Sequence, residues 1–226
     1  MHTFGHPCKI DKIKEICQNY NINLIEDAAE SLGSFYNNKH TGTFGQLGII
    51  SFNGNKIITS GGGGMIITDD EDIASHVKHL TTTAKKPHPW LFIHDELGFN
   101  YRLTDIQSSL GITQLAKNDK GVAQRNIIAK RYKESLQGIV KYQTLTKGSY
   151  NAHHLFVIEV ENRDELYHKL RDSGIYAQIH YIPIHTLPYY ENIGYDDANL
   201  KHAENYYSKC ISLPMYPTLT IDEQDF

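Results

Sequence analysis

Four consecutive glycines, residues 61 to 64, impose the strongest local constraint on how this chain can fold. Glycine runs occur where the backbone needs positive φ or where another group approaches closely. The segments on either side, LGIISF (47–52) and GMIIT (64–68), have the apolar character of short strands. Lys56 lies between the first segment and the glycines. The pattern predicts a strand, a turn that leaves space for a bulky ligand, and a second strand.

Helical and strand-like segments alternate along the chain. An amphipathic helix is predicted over KIDKIKEICQNYNI, then a short buried strand in NLIEDAAES, and a helix in DDEDIASHVKHL. Two more helices are predicted, one capped by Thr104 and one over residues 122–136. HLFVIEV, RDELYHKLRDSG and IYAQIHYI have the pattern strand, helix, strand. This order predicts an α/β fold, followed by a smaller α/β or α+β domain after a boundary near residues 116–122.

The apolar residues at helical spacing are predicted to face the core. They are Ile10, Ile13, Ile16 and Cys17 in the first helix, Ile73, Val77 and Leu80 in the second, and Ile106, Leu110, Ile112 and Leu115 in the third.

Composition narrows the kind of partner. The chain of 226 residues has a formal net charge of -4 and a pI of about 6.3, without a basic stripe. Nucleic acid and anionic membranes are therefore disfavoured, and a small molecule is the expected partner. Three cysteines without Cys-x-x-Cys spacing suggest neither a disulfide framework nor a structural zinc site. No apolar stretch is long enough to span a bilayer and no export signal is visible, so the expected location is the cytoplasm.

Three polar residues near strand ends are candidates for chemistry. Asp27 ends a predicted strand, where a carboxylate can hold a cation or a protonated ring nitrogen. An N-cap of a following helix is an equally good interpretation of Asp27. Lys56, if partly shielded from water, is a nucleophile towards carbonyl groups, whereas an average lysine is a solvated surface residue. The hydroxyl of Ser51 can donate to a phosphate oxygen, or Ser51 simply ends its strand.

Several motifs together resemble a known family. EDAAES, SFNGNK with GGGG five residues after the lysine, LGFNYRLTDIQSSLG and HYIPIHTLPYY occur in the order and near the spacing found in the DegT/DnrJ group of sugar aminotransferases. These enzymes depend on pyridoxal 5'-phosphate (PLP) and have the aspartate aminotransferase fold type. The resemblance implies the same fold here, with residues 1–118 as the C-terminal portion of the PLP-binding large domain and its mainly parallel sheet. Residues 119–226 would form the smaller α/β domain.

The resemblance also implies roles for individual residues. Lys56 would bind PLP covalently and shuttle the proton, and Asp27 would pair with the pyridine nitrogen. Glu30 would lie beside the phenolic oxygen, where many relatives have Gln or His. Ser51 would bind the phosphate, and Asn100 would reach the phosphate of the neighbouring subunit's cofactor. A homodimer with shared active sites is therefore implied.

The later motif implies a pocket for the substrate. His180, Tyr181 and His185 in HYIPIH occupy positions where the family's small domain contributes to the sugar-nucleotide pocket. A metal site is the alternative, but the two histidines are five residues apart without a third ligand nearby, so no metal is predicted. His153 and His154 are adjacent on a predicted strand and are expected to point to opposite faces.

The resemblance implies conversion of a nucleotide-linked 4-keto-6-deoxy sugar to its 4-amino sugar, with glutamate as the usual amino donor, in cell-surface glycan biosynthesis. The early motifs resemble the legionaminic acid and bacillosamine branch, and the later ones the pseudaminic acid branch, so the sugar configuration stays open. The match covers only the latter part of the family, which leads us to expect a partial chain that binds PLP weakly. The alternative is a catalytically silent fragment that acts in dimerisation or sugar-nucleotide binding.

Overall fold

The computed structural model describes residues 1–195 and 199–226. Its strands are β1 (Ile25–Asp27), β2 (Phe35–Tyr36), β3 (Lys39–His40), β4 (Leu47–Ser51), β5 (Gly64–Ile67), β6 (Lys141–Tyr142), β7 (Ser149–Tyr150), β8 (Phe156–Glu159) and β9 (Cys210–Leu213). Its helices are α1 (Ile10–Asn19), α2 (Glu71–Thr81), α3 (Asp105–Leu115), α4 (Asn118–Ser135), α5 (Arg163–Asp172), α6 (Pro188–Tyr190), α7 (Lys201–Lys209) and α8 (Ile221–Asp225). Shorter helical turns occur at Thr3–Gly5, Ile184–Thr186 and Glu191–Tyr195.

The chain divides into two units by its internal contacts. Unit 1 comprises Met1–Ala123 with Leu145–His154, and unit 2 comprises Gln124–Thr144 with Leu155–Phe226. Helix α4 begins at Asn118, four residues before the predicted start, because Gly121 is accommodated inside it. The functional division into domains 1–118 and 119–226 stays a prediction.

The central sheet of unit 1 has the strand order β1-β4-β5. Strands β1 and β4 are parallel, with Asp27 opposite Ile49, and β5 runs antiparallel to β4, with Gly64 opposite Ser51. Among the described strand pairs, β1 with β4 is the parallel one, while the remaining pairs are antiparallel. The predicted α/β class is confirmed. The parallel pair matters most for function, because its carboxyl ends meet at one edge of the sheet.

The core of unit 1 is small. Ala28, Ile50, Phe52 and Ile58 form a buried cluster. The expectation that the apolar faces of α1 and α3 are buried is wrong for most positions, since Ile13, Ile16, Ile106, Leu110, Ile112 and Leu115 are exposed. Ile10 is buried, and the apolar positions of α2 are half-buried. The described part of unit 1 contains too few packed elements to cover every apolar helix face.

Two helix starts follow local rules. Thr104 caps α3 with a capping box, in which its hydroxyl accepts the N–H of Gln107 while the Gln107 side chain accepts the N–H of Thr104, as predicted. The carboxylate of Asp70 accepts the N–H of Ile73 at the start of α2. The acidic first turn of α2 also complements the positive end of the helix dipole. Both contacts are local, and the sequence predicts the one at Thr104.

Unit 2 has an antiparallel sheet of order β6-β8-β9 over a larger core. Phe156, Ile158 and Ile211 pack there with Tyr132 of α4. The predicted strand over IYAQIHYI is wrong, since this segment makes a single bridge to β9. The predicted strand HLFVIEV is confirmed in part, because β8 begins after His154.

Contacts within the chain account for most of the requirement for glycine at residues 61–64. Gly61 and Gly63 have φ of +80° and +86°. A Cβ on Gly63 would lie 2.0 Å from Cδ2 of Leu103, and one on Gly64 would lie 2.6 Å from the carbonyl oxygen of Ile50. A Cβ on Gly61 would meet no atom within 4 Å. The close approach that requires glycine at 63 and 64 is therefore packing against α3's leading segment and β4, whereas 61 requires only positive φ.

Replacing these two glycines by alanine separates the two effects. Gly61→Ala is expected to cost about 1–2 kcal/mol, the price of a left-handed backbone for an alanine. Gly63→Ala carries the same cost, and displacement of Leu103 adds about 1–3 kcal/mol. Urea unfolding of both variants measures the difference. Equal decreases in the free energy of unfolding for the two variants would show that the Leu103 side chain moves aside without measurable cost.

No helix in the described residues combines the length and the apolar character that crossing a membrane requires.

Candidate active site

Lys56 contacts a buried carboxylate. It lies in the loop between β4 and β5, where its own N–H donates to the carbonyl of Asn53 at 3.1 Å. Its Nζ is 3.4 Å from Oε1 of Glu30, and the side chains are 15% and 5% exposed. Because both groups are largely removed from water, their attraction is stronger than that of a surface pair. The solvated-surface interpretation of Lys56 does not fit this burial.

Glu30 has two neighbours besides Lys56, the backbone N–H of Phe4 and the side chain of His154. Its Oε2 accepts the backbone N–H of Phe4 at 2.8 Å. Its Oε1 lies 3.7 Å from Nε2 of His154, whose side chain is 2% exposed. Phe4 has φ of 60° inside the short turn Thr3–Gly5, which directs its N–H to the carboxylate. Glu30 is therefore fixed on one oxygen and faces two basic side chains with the other.

Asp27 is the last residue of β1. Its Oδ1 accepts the N–H of Ala29 at 3.0 Å, which is an Asx-type turn. The structure has turns in residues 28–34 and no helix there, so the helix N-cap interpretation is wrong. The side chain is half-buried, at the edge of the sheet where β1 and β4 both end. Glu30 follows three residues later, and its carboxylate contacts Lys56.

Ser51 and Asn100 lie in different settings. Ser51 is the last residue of β4, is half-buried, and its Oγ accepts the N–H of Asn53 at 3.3 Å. Asn100 is exposed, and its Oδ1 accepts from Nε of Arg102 at 3.0 Å. Ser51 is thus placed with Asp27 at the carboxyl ends of the parallel pair. The partner of the Arg102 guanidinium in this contact is the side-chain amide of Asn100.

The three predicted pocket residues belong to unit 2. Nδ1 of His180 is 2.7 Å from Oγ of Ser212, and Nε2 of His185 is 2.9 Å from Oε1 of Glu204. Tyr181 is exposed, with its ring 4.6 Å from that of His180 in an edge-to-face arrangement. The two histidines bind different partners, which gives no support to joint metal ligation.

A different cluster has metal-ligand chemistry. His79, Asp95 and Glu96 place one ligand atom each within 4.8 Å of the others. Hydrogen bonds from Lys86 and then His79 lower the pKa of Asp95. Both carboxylates are exposed, and Lys86 Nζ lies 3.1 Å from Asp95. The arrangement is explained as a surface ion-pair network.

Sequence reasoning missed the most buried acid of unit 1. Glu26 is 1% exposed; its Oε2 lies 2.9 Å from Nε2 of His2 and accepts the N–H of Gly42 at 2.8 Å. Its Oε1 accepts the N–H groups of Phe44 and Gly45. Burial alone would raise the pKa of Glu26, but the hydrogen bonds from His2 and the backbone outweigh burial and lower it. The sequence did contain a sign of this buried acid: Glu26 precedes Asp27 in a predicted strand, so its side chain points to the opposite face of the sheet.

His2 completes this network. Its Nδ1 accepts the N–H of Cys8 at 3.2 Å, which leaves Nε2–H to donate to Glu26. The N–H of His2 donates to the carbonyl of Asp27 at 3.0 Å. His2 and Glu26 thereby fix the position of β1, and with it the direction in which Asp27 leaves the sheet.

The residues of unit 1 fit PLP. Its aldehyde, ring nitrogen and phosphate need an amine, a carboxylate and a hydroxyl, respectively. Asp27 and Ser51 are the last residues of β1 and β4, and Lys56 lies in the loop after β4 beside Glu30, so the chain offers one group of each kind. Ligands of α/β folds bind at the carboxyl ends of parallel strands, where Asp27 and Ser51 lie.

The family is established by comparison with known proteins. Residues 1–226 match the DegT/DnrJ/EryC1/StrS aminotransferase family, and the chain belongs to it. It is 33% identical to GDP-perosamine synthase from Escherichia coli O157:H7, over 99% of this chain and 61% of that protein. It is 30% identical to UDP-4-amino-4,6-dideoxy-N-acetyl-beta-L-altrosamine transaminase from Campylobacter jejuni, over 98% of this chain and 61% of that protein.

A solved structure agrees with the sequence relatives. Helicobacter pylori PseC, an aminotransferase involved in the biosynthesis of pseudoaminic acid, superposes with a TM-score of 0.92 at 27% identity, covering 99% of this chain and 62% of that one. The chain thus spans about three fifths of the length of these relatives. Aminotransferases of this family are PLP-dependent.

Proposed function

We propose that this chain carries the cofactor-binding lysine of a PLP-dependent aminotransferase. The enzyme would convert a nucleotide-linked 4-keto-6-deoxy sugar to its 4-amino sugar in cell-surface glycan biosynthesis. The observation that carries the proposal is the contact of Lys56 with the buried carboxylate of Glu30, at the sheet edge where Asp27 and Ser51 end their strands. Ligands of α/β sheets bind at such edges.

The chemistry assigns one task to each side chain. PLP, when bound, supplies an electron sink for the electrons released when a C–H bond beside the amino nitrogen breaks. Lys56 would hold the cofactor through Nζ and afterwards move the proton with the same atom. Asp27 would keep the ring nitrogen protonated, and Ser51 would donate its hydroxyl to the phosphate. Glu30 would hold the Lys56 side chain in place through Oε1, which lies 3.4 Å from Nζ.

The proposal also covers the substrate, the amino donor and the oligomeric state. The Escherichia coli relative is named for GDP-perosamine and the Campylobacter jejuni relative for a UDP-linked 4-amino sugar, which supports a nucleotide-linked sugar here. We assign its contacts to His180, Tyr181 and His185, and the amino donor to glutamate. A homodimer in which Asn100 reaches the other subunit's cofactor is proposed as well. The proposed location is the cytoplasm, which suits three free cysteines.

Asp27→Asn tests the role of the carboxylate without removing the turn. The amide keeps an oxygen for the N–H of Ala29, so the fold should be unchanged. Loss of the negative charge should reduce amino transfer by on the order of 10²-fold, because the ring nitrogen loses its counter-charge. The measurement is the rate with PLP, glutamate and the keto-sugar. An unchanged rate would remove Asp27 from the proposal.

Direct assay tests the proposed function as a whole. The chain is incubated with PLP, glutamate and a nucleotide-linked 4-keto-6-deoxy sugar, and the product is identified by mass spectrometry. The 4-amino sugar together with 2-oxoglutarate is expected. Sugar-nucleotide binding or dimer formation without product would instead favour the silent-fragment alternative. Transfer that persists after removal of PLP would contradict the proposal.

A further inference from the structure

We propose that His40 is a positioning residue that holds the turn carrying Glu30 only while its imidazole is neutral, so that mild acid loosens this turn. The turn comprises residues 28–34, between β1 and β2. His40 is the last residue of β3, which pairs with β2. Nε2 of His40 accepts the N–H of Gly33 at 2.8 Å. Gly33 follows Glu30 by three residues, and the Glu30 carboxylate contacts Lys56.

The hydrogen bonds of His40 determine where its proton lies. Nδ1 faces the carbonyl oxygen of Thr41, which is an acceptor and therefore requires an N–H on Nδ1. In the neutral ring Nε2 then keeps the lone pair that accepts the N–H of Gly33. A second proton can bind only at Nε2, where it would meet this N–H. Protonation of His40 and its bond to Gly33 therefore exclude each other.

The contacts around this bond keep the turn close to β3. The hydroxyl of Thr41 donates to the carbonyl of Ser31 at 2.9 Å, and the N–H of Thr41 donates to the carbonyl of Ser34 at 3.0 Å. On its other side Gly33 packs against α4, where a Cβ would lie 2.9 Å from Cγ2 of Val122. Gly33 thus has little room to retreat from an added proton, and the resulting strain falls on the turn.

The same turn fixes the Glu30 carboxylate. Oε2 of Glu30 accepts the N–H of Phe4 at 2.8 Å, and Oγ of Ser34 donates to the carbonyl of Gly5 at 2.6 Å. Loosening the turn therefore shifts the carboxylate relative to Phe4 and Lys56. The importance of this shift for amino transfer rests on the proposed function, whereas the response of the turn to acid does not.

The direction of the pH effect follows from the surroundings of His40. Burial has the largest influence and lowers the pKa of His40 from its ordinary value of 6.5. The bond to the Thr41 carbonyl and the charge of Glu26 act in the opposite direction, while the charge of His2 acts with burial. Since an opened turn returns the imidazole to water, the bond is fully effective above pH 6.5 and is lost as pH falls through the folded value.

Amide hydrogen exchange tests the proposal on the chain without any cofactor. Rates are measured by NMR at about pH 7.5 and about pH 5.5, each relative to an unstructured peptide at the same pH. Protection of the Gly33 N–H should fall by about threefold to tenfold at the lower pH, and that of the Phe4 N–H should fall with it. The N–H of Phe52, which donates to the carbonyl of Gly63 at 3.0 Å, is the reference and should be unchanged.

Two matched variants assign the response to the imidazole. His40→Gln places an amide oxygen near the position of Nε2, so it keeps an acceptor for Gly33 and cannot gain a proton in this range. Its protection of Gly33 should be the same at both pH values. His40→Asn keeps a donor for Thr41 but offers Gly33 no acceptor, so protection should be low at both pH values. Circular dichroism checks that both variants are folded.

Three results would overturn the proposal. One is a Gly33 response in the unaltered chain no larger than that of Phe52, and another is a response that persists in His40→Gln. The third is a response of Gly33 without one at Phe4, which would separate His40 from the position of Glu30. Absence of PLP binding would count against the proposed function alone and would leave these exchange rates unaffected.

Discussion

Lys56→Ala is expected to abolish covalent trapping of PLP at this position and to reduce amino transfer by on the order of 10³-fold or more. Two functions are lost together, because Nζ is both the group that holds the cofactor and the base that moves the proton. Fold stability should fall as well, because the carboxylate of Glu30, whose side chain is 5% exposed, loses its lysine partner. The measurements are amino-transfer rate and urea unfolding.

Lys56→Arg is the matched control for charge. The guanidinium keeps a positive group opposite Glu30 but cannot form the covalent link. The proposal therefore expects Lys56→Arg to be as inactive as Lys56→Ala while retaining the stability of the unaltered chain. Substantial transfer by either variant would show that Lys56 is not the cofactor lysine.

Glu26→Gln is expected to have the largest effect on stability, about 3–5 kcal/mol. Four groups point hydrogens at the carboxylate: His2 and the backbone N–H groups of Gly42, Phe44 and Gly45. An amide offers one oxygen for them and turns an NH₂ group towards the other donors, which leaves buried N–H groups without acceptors. Urea unfolding at neutral pH measures the loss.

The pH dependence of stability gives a second test of this network. The pKa of Glu26 is lowered in the folded chain, so its contribution is present above the unfolded value near 4.5 and is lost as pH falls through the folded value. Glu26→Gln should remove this part of the acid sensitivity. Glu165→Gln, at an exposed pair with Lys169, is the control and should change stability little. Equal effects of the two substitutions would contradict the assigned role of Glu26.

The sequence predicts best what local patterns determine. The cap at Thr104, the strands β4 and β5, and the helices α1 and α2 depend on neighbouring residues, and their predictions are confirmed. The carboxyl-end positions of Asp27 and Ser51 follow from the strand boundaries in the same way.

The rest depends on contacts between distant residues. Glu26 pairs with His2, 24 residues away, and no local pattern selects that partner. His154 approaches Glu30 across more than a hundred residues, and it does so from an irregular segment where strand alternation predicts nothing. The spacing of apolar residues in α1 and α3 predicts both helices correctly. It does not determine whether other elements cover their apolar faces, and most of these residues are exposed.

Reductive trapping tests the central claim most directly. The chain is mixed with a small excess of PLP and reduced with borohydride, and the modified peptides are mapped by mass spectrometry. We predict modification of Lys56 at PLP concentrations that leave exposed lysines such as Lys130 unmodified. Labelling of Lys56 no greater than that of Lys130 would contradict the claim that this amine, beside Glu30, is built to receive the cofactor.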